Sequence, residues 1–478
     1  MDELDCNRLE QFRQLKQEIR KSEEYLIVGI DVAKDRHHAF FGTATGETLL
    51  RRLVFSNDDE GFRKLLEQAE ALEVRHGLKK VVYGMEPTAN YHKPLGEYLI
   101  HLGRAVVLVS GVTVKRNRES LDGRWDKHDV KDAANVADLI SQGKCLYYDY
   151  PRAALRGLRG LLSLKRRLKK QEHGYRVRIR NHLIAQYYPE MDRDYDRLGA
   201  EGLSIVRWCF PPSEMTVLDV GEFVQRVTSR GVRVEKRQRL EGIWEKAGET
   251  IGCDGVPGVE HEARMMVEGL KQIREMIKET EGKIQELCKE FPEYEYLLTI
   301  PGFGPDVSAK VLGAIGDPDR FQNGKQVLKL AGLDLSADRS GKDSDKAIPQ
   351  ISKRGKADLR YALYQAALIA STKNQYFMRY YTEKLRGRER EKGIKTKLWV
   401  KLSAKMLLIA WTLMKKKEAF NPAYLNLEEE GAGRGSERKA SWPCTSSGAK
   451  RKRGSPWVCK SSHADGTRSL SQKLKEEA

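Results

Sequence analysis

The stretch Tyr25–Ala33, YLIVGIDVA, is a short apolar run with an acid, Asp31, close to its end. Such a run is typical of a buried β-strand. Two more β-rich runs follow at 37–44 and 48–56, and Gly46 lies between them. Spacings this short predict strands that are joined as antiparallel hairpins.

Helix and strand then alternate along the chain. The pattern predicts a helix over 58–76, a strand over 79–87, a helix over about 93–102 and a strand over 105–110. The strand predicted within 79–87 ends at Glu86, much as the first strand ends at Asp31. Three meandering strands followed by this alternation predict an α/β domain over 24–150.

The chain is long and strongly basic. Its 478 residues are enough for two or three domains and a sizeable core. The formal net charge is +18, from 86 Lys plus Arg against 68 Asp plus Glu. This excess favours a polyanionic partner, either nucleic acid or an anionic membrane. Nucleic acid is the preferred partner, with a basic protein that lacks such a partner as the alternative.

Membrane and secretory signals are missing from the sequence. The longest apolar run, Met406–Met414, falls short of the roughly 18 residues that a spanning helix needs and predicts a buried helix instead. No secretory signal opens the chain. Seven cysteines occur without any C-x-x-C pair, so neither a zinc site nor a disulfide framework is indicated. We expect a cytoplasmic protein with no membrane partner.

Residues 152–180 predict a long basic helix. They contain eleven basic residues and a single acid, and leucines recur among them at near-helical spacing. A second periodic segment, about 259–291, is predicted to pair with it as an antiparallel coiled-coil arm, with 189–258 as a smaller helical insertion. The leucines indicate packing, whereas the basic face, including Arg166 and Arg167, is where phosphates would bind.

The arm therefore occupies 151–293, and a second, mainly helical domain is predicted over 294–420. A basic tail over 421–478 follows. Its last part, 431–478, has 11 basic residues against 4 acidic ones and contains KRKRG at 450–454. This composition predicts disorder, with incidental charge and nucleic-acid binding as equal alternatives.

Four acids form the candidate catalytic site. Asp31 and Glu86 end predicted strands, and Asp129 and Asp132 lie on one face of the helix predicted within KHDVKDAANVADLI, 127–140. If the first and fourth strands are neighbours, the four carboxylates can converge. Crowded carboxylates repel each other unless a divalent cation compensates them, and oxygen ligands suit Mg²⁺ or Mn²⁺. A two-ion site of this kind supports phosphodiester displacement.

Simpler interpretations of these acids remain open. Asp129 and Asp132 can cap the start of the helix, because an acid there satisfies free backbone N–H groups. Surface ion pairs are a further alternative. Spacing alone does not select the four acids, since others lie nearby: Asp35, Asp122, Asp126 and Asp138.

Three motifs, in order, resemble a known family. GIDVAKDRH (29–37), MEPTANYHKPL (85–95) and KHDVKDAANVADL (127–139) are similar to the N-terminal domain of DEDD transposases of bacterial insertion sequences. These enzymes are related to the pilin-gene invertase and are known as bridge-RNA-guided recombinases. The resemblance implies an RNase H-like, RuvC-like fold. It places the family's catalytic and metal-binding acids on Asp31, Glu86, Asp129 and Asp132.

The second motif departs from the family pattern. Family members commonly have Glu-x-Thr-Gly, whereas this chain has Glu86-Pro87-Thr88-Ala89. The carboxylate is retained and the glycine is replaced.

A Gly-x-Gly turn opens the C-terminal domain. LLTIPGFGPDVSAKVLGAIG, 297–316, predicts a tight turn before a helix, in which Gly302 and Gly304 let the backbone approach a phosphate. The pattern looks like a helix-hairpin-helix, which binds DNA backbones without reading sequence. A plain helix–turn–helix packing motif is an equal alternative.

The stretch 320–367 is similar to the family's C-terminal transposase domain. This resemblance, and not the local chemistry, places the catalytic serine on Ser340, since no activating partner is visible in sequence. The rival serines are Ser336, Ser344 and Ser352. Three nearby cations are candidates for neutralising phosphates, with a solvated helix face as the alternative: Lys353, Arg354 and Arg360.

The resemblance implies an RNA-guided DNA transposase that forms a 5′-phosphoserine link through Ser340. Its expected partners are double-stranded donor and target DNA, a structured guide RNA, and further copies of the chain in a dimer or tetramer. Its expected location is the bacterial cytoplasm, at the nucleoid. Two alternatives remain: a metal-dependent junction-resolving nuclease that uses water, and a non-catalytic nucleic-acid-binding protein. The sequence does not specify the target, the guide, or the ion used in the cell.

Overall fold

The computed structural model describes residues 3–20, 22–121, 129–194, 199–228, 233–336 and 350–425. The chain forms two compact units, the first ending at Arg156 and the second beginning at Gly157. This division lies close to the predicted boundary at 150–151. Most of the predicted tail, from 426 onwards, lies outside the described residues.

A six-stranded sheet forms the centre of the first unit. Its strands are β1 (Tyr25–Asp31), β2 (Arg36–Thr43), β3 (Thr48–Ser56), β4 (Lys80–Met85), β5 (Ala105–Leu108) and β6 (Leu146–Tyr147). They lie in the order β3-β2-β1-β4-β5-β6. The first three strands form the antiparallel meander that the sequence predicts, while β4 is parallel to both β1 and β5. The short antiparallel β6 was not predicted.

Among the described residues of this unit, five helices lie with the sheet: α1 (Glu3–Glu18), α2 (Asp59–His76), α3 (His92–His101), α4 (Gly111–Leu121) and α5 (Asp129–Ser141). The predicted α/β domain begins at 24 and therefore omits α1. This helix belongs to the unit because Leu15 is buried in its core and because Arg8 donates a hydrogen bond to the Tyr148 carbonyl at 2.8 Å.

The sheet is buried on both faces. Along β1, Leu26, Val28 and Ile30 pack into the core that contains residues of α2 and α3. The alternating residues Tyr25 and Ile27 pack into the core that contains residues of α1, α4 and α5. Because successive side chains of a strand point to opposite faces, a strand covered on both faces is apolar at nearly every position. This accounts for the continuous apolar run in the sequence.

Helices dominate the rest of the chain. The first group consists of α6 (Ala153–Arg178) with a π-helical continuation (Ile179–Ile184), α7 (Ala185–Tyr187), α8 (Pro189–Asp194), α9 (Ala200–Trp208), α10 (Pro212–Thr216), α11 (Val220–Val227), α12 (Val234–Gly248) and α13 (Val259–Cys288). The chain is thus a mixed α/β unit with a central sheet, followed by a mostly helical remainder.

Helices α6 and α13 lie antiparallel. Lys165 of α6 pairs with Glu281 at 2.8 Å, and further along α6 Glu172 pairs with Arg274 at 3.3 Å. Leu168 lies between these pairs and packs against α13. Towards the far end of the pair, the helical segment between α6 and α13 forms a core of its own with the end of α6 and the start of α13.

The C-terminal helices are α14 (Pro292–Leu298), α15 (Pro305–Ile315), α16 (Gly324–Ala331), α17 (Ala357–Lys373), α18 (Gln375–Leu385) and α19 (Ile394–Lys416). Between α16 and α17, β7 (Leu335–Ser336) pairs with β8 (Gln350–Ile351) as a small antiparallel ribbon. The apolar run at 406–414 lies within α19, and Met406 and Met414 are buried, as predicted. Within the described ranges, no helix combines the length and apolar character that crossing a bilayer requires.

Candidate active site at the ends of two parallel strands

The register of β1 and β4 places Asp31 beside Glu86. Ile30 and Met85 are partners in the parallel pairing; Asp31 is the last residue of β1, and Glu86 directly follows the last residue of β4. Neighbouring strands lie about 4.8 Å apart, so the two backbones carrying these acids are about that far from each other. The first and fourth strands are thus neighbours, which is the condition that the sequence analysis set for the four carboxylates to converge.

Both carboxylates belong to the same face of the sheet. Ile30 and Met85 are fully buried on the face that contacts α2 and α3. Since side chains alternate, Asp31 and Glu86 belong to the opposite face, where α4 and α5 lie. Both are half-buried, and both interact with neighbouring groups.

Two glycines allow α5 to lie directly on this face. A Cβ atom at Gly29 would be only 2.6 Å from the Ala137 backbone nitrogen, and it would also collide with the Ala133 carbonyl oxygen. On the next strand, a Cβ at Gly84 would collide with the end of the Ile140 side chain. Each glycine precedes a site acid by two residues. The helix that carries the third and fourth acids therefore packs on β1 and β4 two residues before the first two acids.

Asp132 projects from the first turn of α5 and is buried. Its carboxylate forms an ion pair with Arg118 of α4, and only 5% of the Asp132 side chain is exposed. The contacting oxygen, Oδ1, has no hydrogen bond of regular geometry. Asp132 thus forms an ion pair, as the ion-pair alternative proposes, but this pair is buried and does not lie on the surface.

A polar network fixes α4 against α5. Asn135, which is fully buried, donates to the Val114 carbonyl at 2.8 Å and accepts from Asn117 at 2.7 Å. Asn117 also donates to Asp138 at 2.7 Å. Asp138, one of the acids that spacing could not separate from the candidate site, is therefore part of the contact between the two helices.

The start of α4 approaches Glu86. A Cβ at Gly111, the first residue of α4, would be 2.5 Å from Glu86 Oε1. The same helix thus approaches Glu86 at its beginning and contacts Asp132 through Arg118 near its end. Arg118 was not identified from the sequence. The Gly-x-acid pattern that is repeated at 29–31 and 84–86, in contrast, is a sequence signal for the two strand ends.

The donor set suits a hard cation. Asp31, Glu86 and Asp132 offer only oxygen, and the buried Oδ1 of Asp132 has unused capacity to accept. Asp129 is the first residue of α5, and its side chain lies outside the described part of the structure. Among the side chains that are described, no three His, Cys, Asp or Glu groups lie close enough together to hold a metal ion. The metal site therefore remains a prediction. The residue types at the candidate site are compatible with it.

The predicted serine site is described only at its borders. Ser340 and Ser344 lie in 337–349, outside the described residues. Ser336 is an exposed residue of β7, and Ser352 donates its hydroxyl hydrogen to Asp334. The ribbon of β7 and β8 thus joins the two ends of the segment that carries Ser340.

The candidate phosphate-binding cations differ in their surroundings. Arg360 donates to the Ala331 carbonyl at 2.9 Å and to the Lys353 carbonyl at 3.3 Å, so this side chain helps to hold the chain around the ribbon. Arg166 pairs with Asp358 at 3.3 Å. The others are exposed side chains: Lys353, Arg354 and Arg167.

The Gly-x-Gly turn joins α14 and α15, as the motif predicts. Gly302 has a φ of +89°, and a Cβ there would be 2.6 Å from the Ala366 carbonyl oxygen of α17. Helix packing therefore accounts for Gly302. The space around Gly304, in contrast, is open, so only this glycine leaves the backbone accessible to a phosphate.

Comparisons with known proteins match the two parts of the chain that carry the candidate acids and the predicted serine. Residues 28–189 match the model of the DEDD transposase domain of the IS110 type, and residues 294–382 match the model of the transposase IS116/IS110/IS902 family. The chain is 26% identical to the insertion element IS116 uncharacterized 44.8 kDa protein of Streptomyces clavuligerus, over 83% of this chain and 96% of that protein. It is 23% identical to the insertion element IS900 uncharacterized 42 kDa protein of Mycobacterium paratuberculosis, over 83% and 97%. It is also 29% identical to the pilin gene-inverting protein of Moraxella lacunata, over 32% and 48%.

Proposed function

The chain belongs to the IS110/IS116 family of insertion-sequence transposases, and from this we propose that it cuts and rejoins DNA by a metal-dependent serine mechanism. The observation that carries the proposal is the β1–β4 register, with Asp31 beside Glu86 and α5 packed on the same face. Strand order supports an RNase H-like assignment for the first unit, because β1 lies between the antiparallel β2 and the parallel β4.

In the proposed reaction, Ser340 Oγ attacks the phosphorus of a DNA phosphodiester. The bond from phosphorus to the 3′ oxygen breaks, the serine proton is lost to a base or solvent, and the 3′ oxygen leaves as a hydroxyl after gaining a proton. The product is a 5′-phosphoserine. Attack by a 3′ hydroxyl of another strand reverses the step and releases Ser340. Because one ester replaces another, no nucleotide cofactor is needed.

The acids have a defined part in this reaction. Asp31, Glu86, Asp129 and Asp132 would hold Mg²⁺ or Mn²⁺, and the bound cation would supply charge to polarise the phosphate and stabilise the leaving oxygen. The chain itself positions the acids, through glycines that let α5 lie against the sheet. The β7–β8 ribbon holds the two ends of the serine segment, and the exposed Lys353 and Arg354 beside it suit DNA phosphates.

The partners of the proposed reaction follow from the family. They are duplex donor and target DNA, a structured guide RNA, and a second copy of the chain in a dimer or tetramer. The exposed Arg167 and the open backbone at Gly304 are candidate contacts for nucleic-acid backbones.

Covalent trapping tests the mechanism. The full chain is incubated with donor or junction DNA and Mg²⁺, denatured and digested, and we expect a DNA adduct on the peptide covering 320–360. Ser340→Ala should abolish both adduct and cleavage, whereas the matched Ser336→Ala should retain both. Cleavage that survives Ser340→Ala would identify a hydrolytic nuclease instead. Failure of the unmodified chain to cleave with Mg²⁺ or Mn²⁺ would favour a non-catalytic binding protein.

A further inference from the structure

Arg118 supplies the positive charge next to a buried site acid. Its guanidinium pairs with the Asp132 carboxylate, and the side chains are 23% and 5% exposed. An ionised carboxylate in such a position is strongly destabilising without a partner. Arg118 is therefore the partner that the buried Asp132 carboxylate requires in the first turn of α5.

The ion pair involves a carboxylate oxygen of the proposed metal site. Asp132 Oδ1 contacts Arg118 but has no regular hydrogen bond, so the pair lacks the geometry of the strongest Arg–carboxylate contacts. A divalent cation at the same oxygen would lie within a few ångströms of the guanidinium. Two positive charges at that separation repel each other, so the two cations compete for Asp132.

The rest of α4 does not depend on Arg118. Asn117 and Asn135 hold α4 to α5 through hydrogen bonds that do not include the guanidinium. Arg118 is more exposed than Asp132, so its side chain can move toward solvent while the helix stays in place.

We propose that Arg118 is a displaceable counter-cation, a positioning residue that holds Asp132 in place until a divalent cation takes over the carboxylate. This inference rests on the proposed metal site. It implies that binding of a cation at Asp132 is coupled to the release of Arg118. It also implies that the chain binds the cation more weakly than the same acids would bind it without Arg118.

Binding of Mn²⁺ to the full chain, measured by isothermal titration calorimetry without DNA, tests the coupling. Arg118→Gln should bind Mn²⁺ about tenfold more tightly, because a competing unit charge is removed from beside the site. Lys115→Gln removes the same charge from an exposed position on the same helix and should leave the affinity unchanged. Arg118→Lys keeps the charge and should stay within about twofold of the unmodified chain.

Thermal unfolding provides a second measurement. In EDTA, Arg118→Gln should unfold at a lower temperature than Lys115→Gln, and Mn²⁺ should raise its unfolding temperature by more than it raises that of the unmodified chain. The double variant Arg118→Gln with Asp132→Asn should recover stability in EDTA, because it removes the uncompensated carboxylate.

The outcomes separate the inference from the proposed function. If Asp132→Asn abolishes Mn²⁺ binding but Arg118→Gln and Lys115→Gln bind equally well, the site is supported and the role of Arg118 is overturned. A tenfold change in Arg118→Lys would overturn it as well, even if Arg118→Gln does not fold. If the unmodified chain and Asp132→Asn bind Mn²⁺ identically, the metal site is overturned, and the inference with it.

Discussion

Replacing Gly29 with alanine should displace α5 away from the sheet. The new Cβ would be 2.6 Å from the Ala137 nitrogen and 2.8 Å from its Cβ, whereas ordinary contact begins at 3.4 Å. Restoring ordinary contact with the nitrogen requires α5 to withdraw by about 0.8 Å. The obstacles include backbone atoms of α5, which cannot rotate away. We therefore expect a loss near the upper end of overpacking effects, about 3 kcal/mol.

Gly84→Ala is a matched control under the same helix. Its main obstacle is the end of the Ile140 side chain, which can adopt another rotamer, so the expected loss is about 1 kcal/mol. For a unit of this size, 1 kcal/mol corresponds to about 2–4 °C in Tm. Scanning calorimetry of the full chain should therefore show a decrease of about 6–12 °C for Gly29→Ala and about 2–4 °C for Gly84→Ala.

Rescue experiments sharpen the comparison. Ile140→Val removes the obstructing Cδ1 atom and should recover most of the stability that Gly84→Ala loses, but none of that lost by Gly29→Ala. DNA cleavage should fall about 100-fold in Gly29→Ala, since displacing a positioned group by close to 1 Å has an effect of this size. Equal decreases in Tm for the two glycine variants would refute the argument that backbone contact controls the position of α5.

Three further changes test other contacts. Asn135→Ala should destabilise the chain by about 2–4 kcal/mol in urea unfolding, because it removes the side-chain donor to the Val114 carbonyl and leaves the Asn117 amide with Asp138 as its remaining acceptor; a loss below 1 kcal/mol would contradict the network. Burial lowers the pKa of His37 in the folded chain below its ordinary value of 6.5. As the pH falls, the unfolded chain therefore binds a proton at His37 before the folded chain does, and the stability of the fold should decrease below pH 6.5. His37→Phe should flatten that dependence between pH 7.5 and 5.5, and an unchanged slope would assign it to another group. Arg360→Lys should lose the two hydrogen bonds to carbonyls around the ribbon and speed proteolysis near β8, with stability lower by about 1–2 kcal/mol; an unchanged cleavage rate would count against this role.

The sequence was most informative where burial imposes a pattern. The strand of Tyr25–Asp31 and the parallel strand ending next to Glu86 could be located because strands covered on both faces are continuously apolar. Their acids interrupt that pattern, so Asp31 and Glu86 could be identified as candidates, whereas their proximity depended on the two strands being neighbours. The buried run at 406–414 was found by the same reasoning.

Contacts between distant segments could not be predicted in this way. Arg118 has no periodic signature, and its pairing with Asp132 depends on how α4 crosses α5. The helix α1 has a mostly polar sequence, so its attachment through Leu15 and Arg8 is visible only in three dimensions. Gly302 was compatible with both phosphate binding and packing, and only the position of α17 favours packing. The role of Ser340 rests on family resemblance.

The antiparallel pairing of α6 and α13 constrains how members of this family can vary in length. Each residue adds about 1.5 Å to a helix, so the 30 residues of α13 span about 45 Å. Side-chain contacts join the two helices at several levels, and the small helical core at the far end draws on both of them. An insertion in one helix alone would shift every contact beyond it out of register. Natural variants with a longer or shorter spacer should therefore carry compensating insertions or deletions in two gene segments roughly a hundred codons apart.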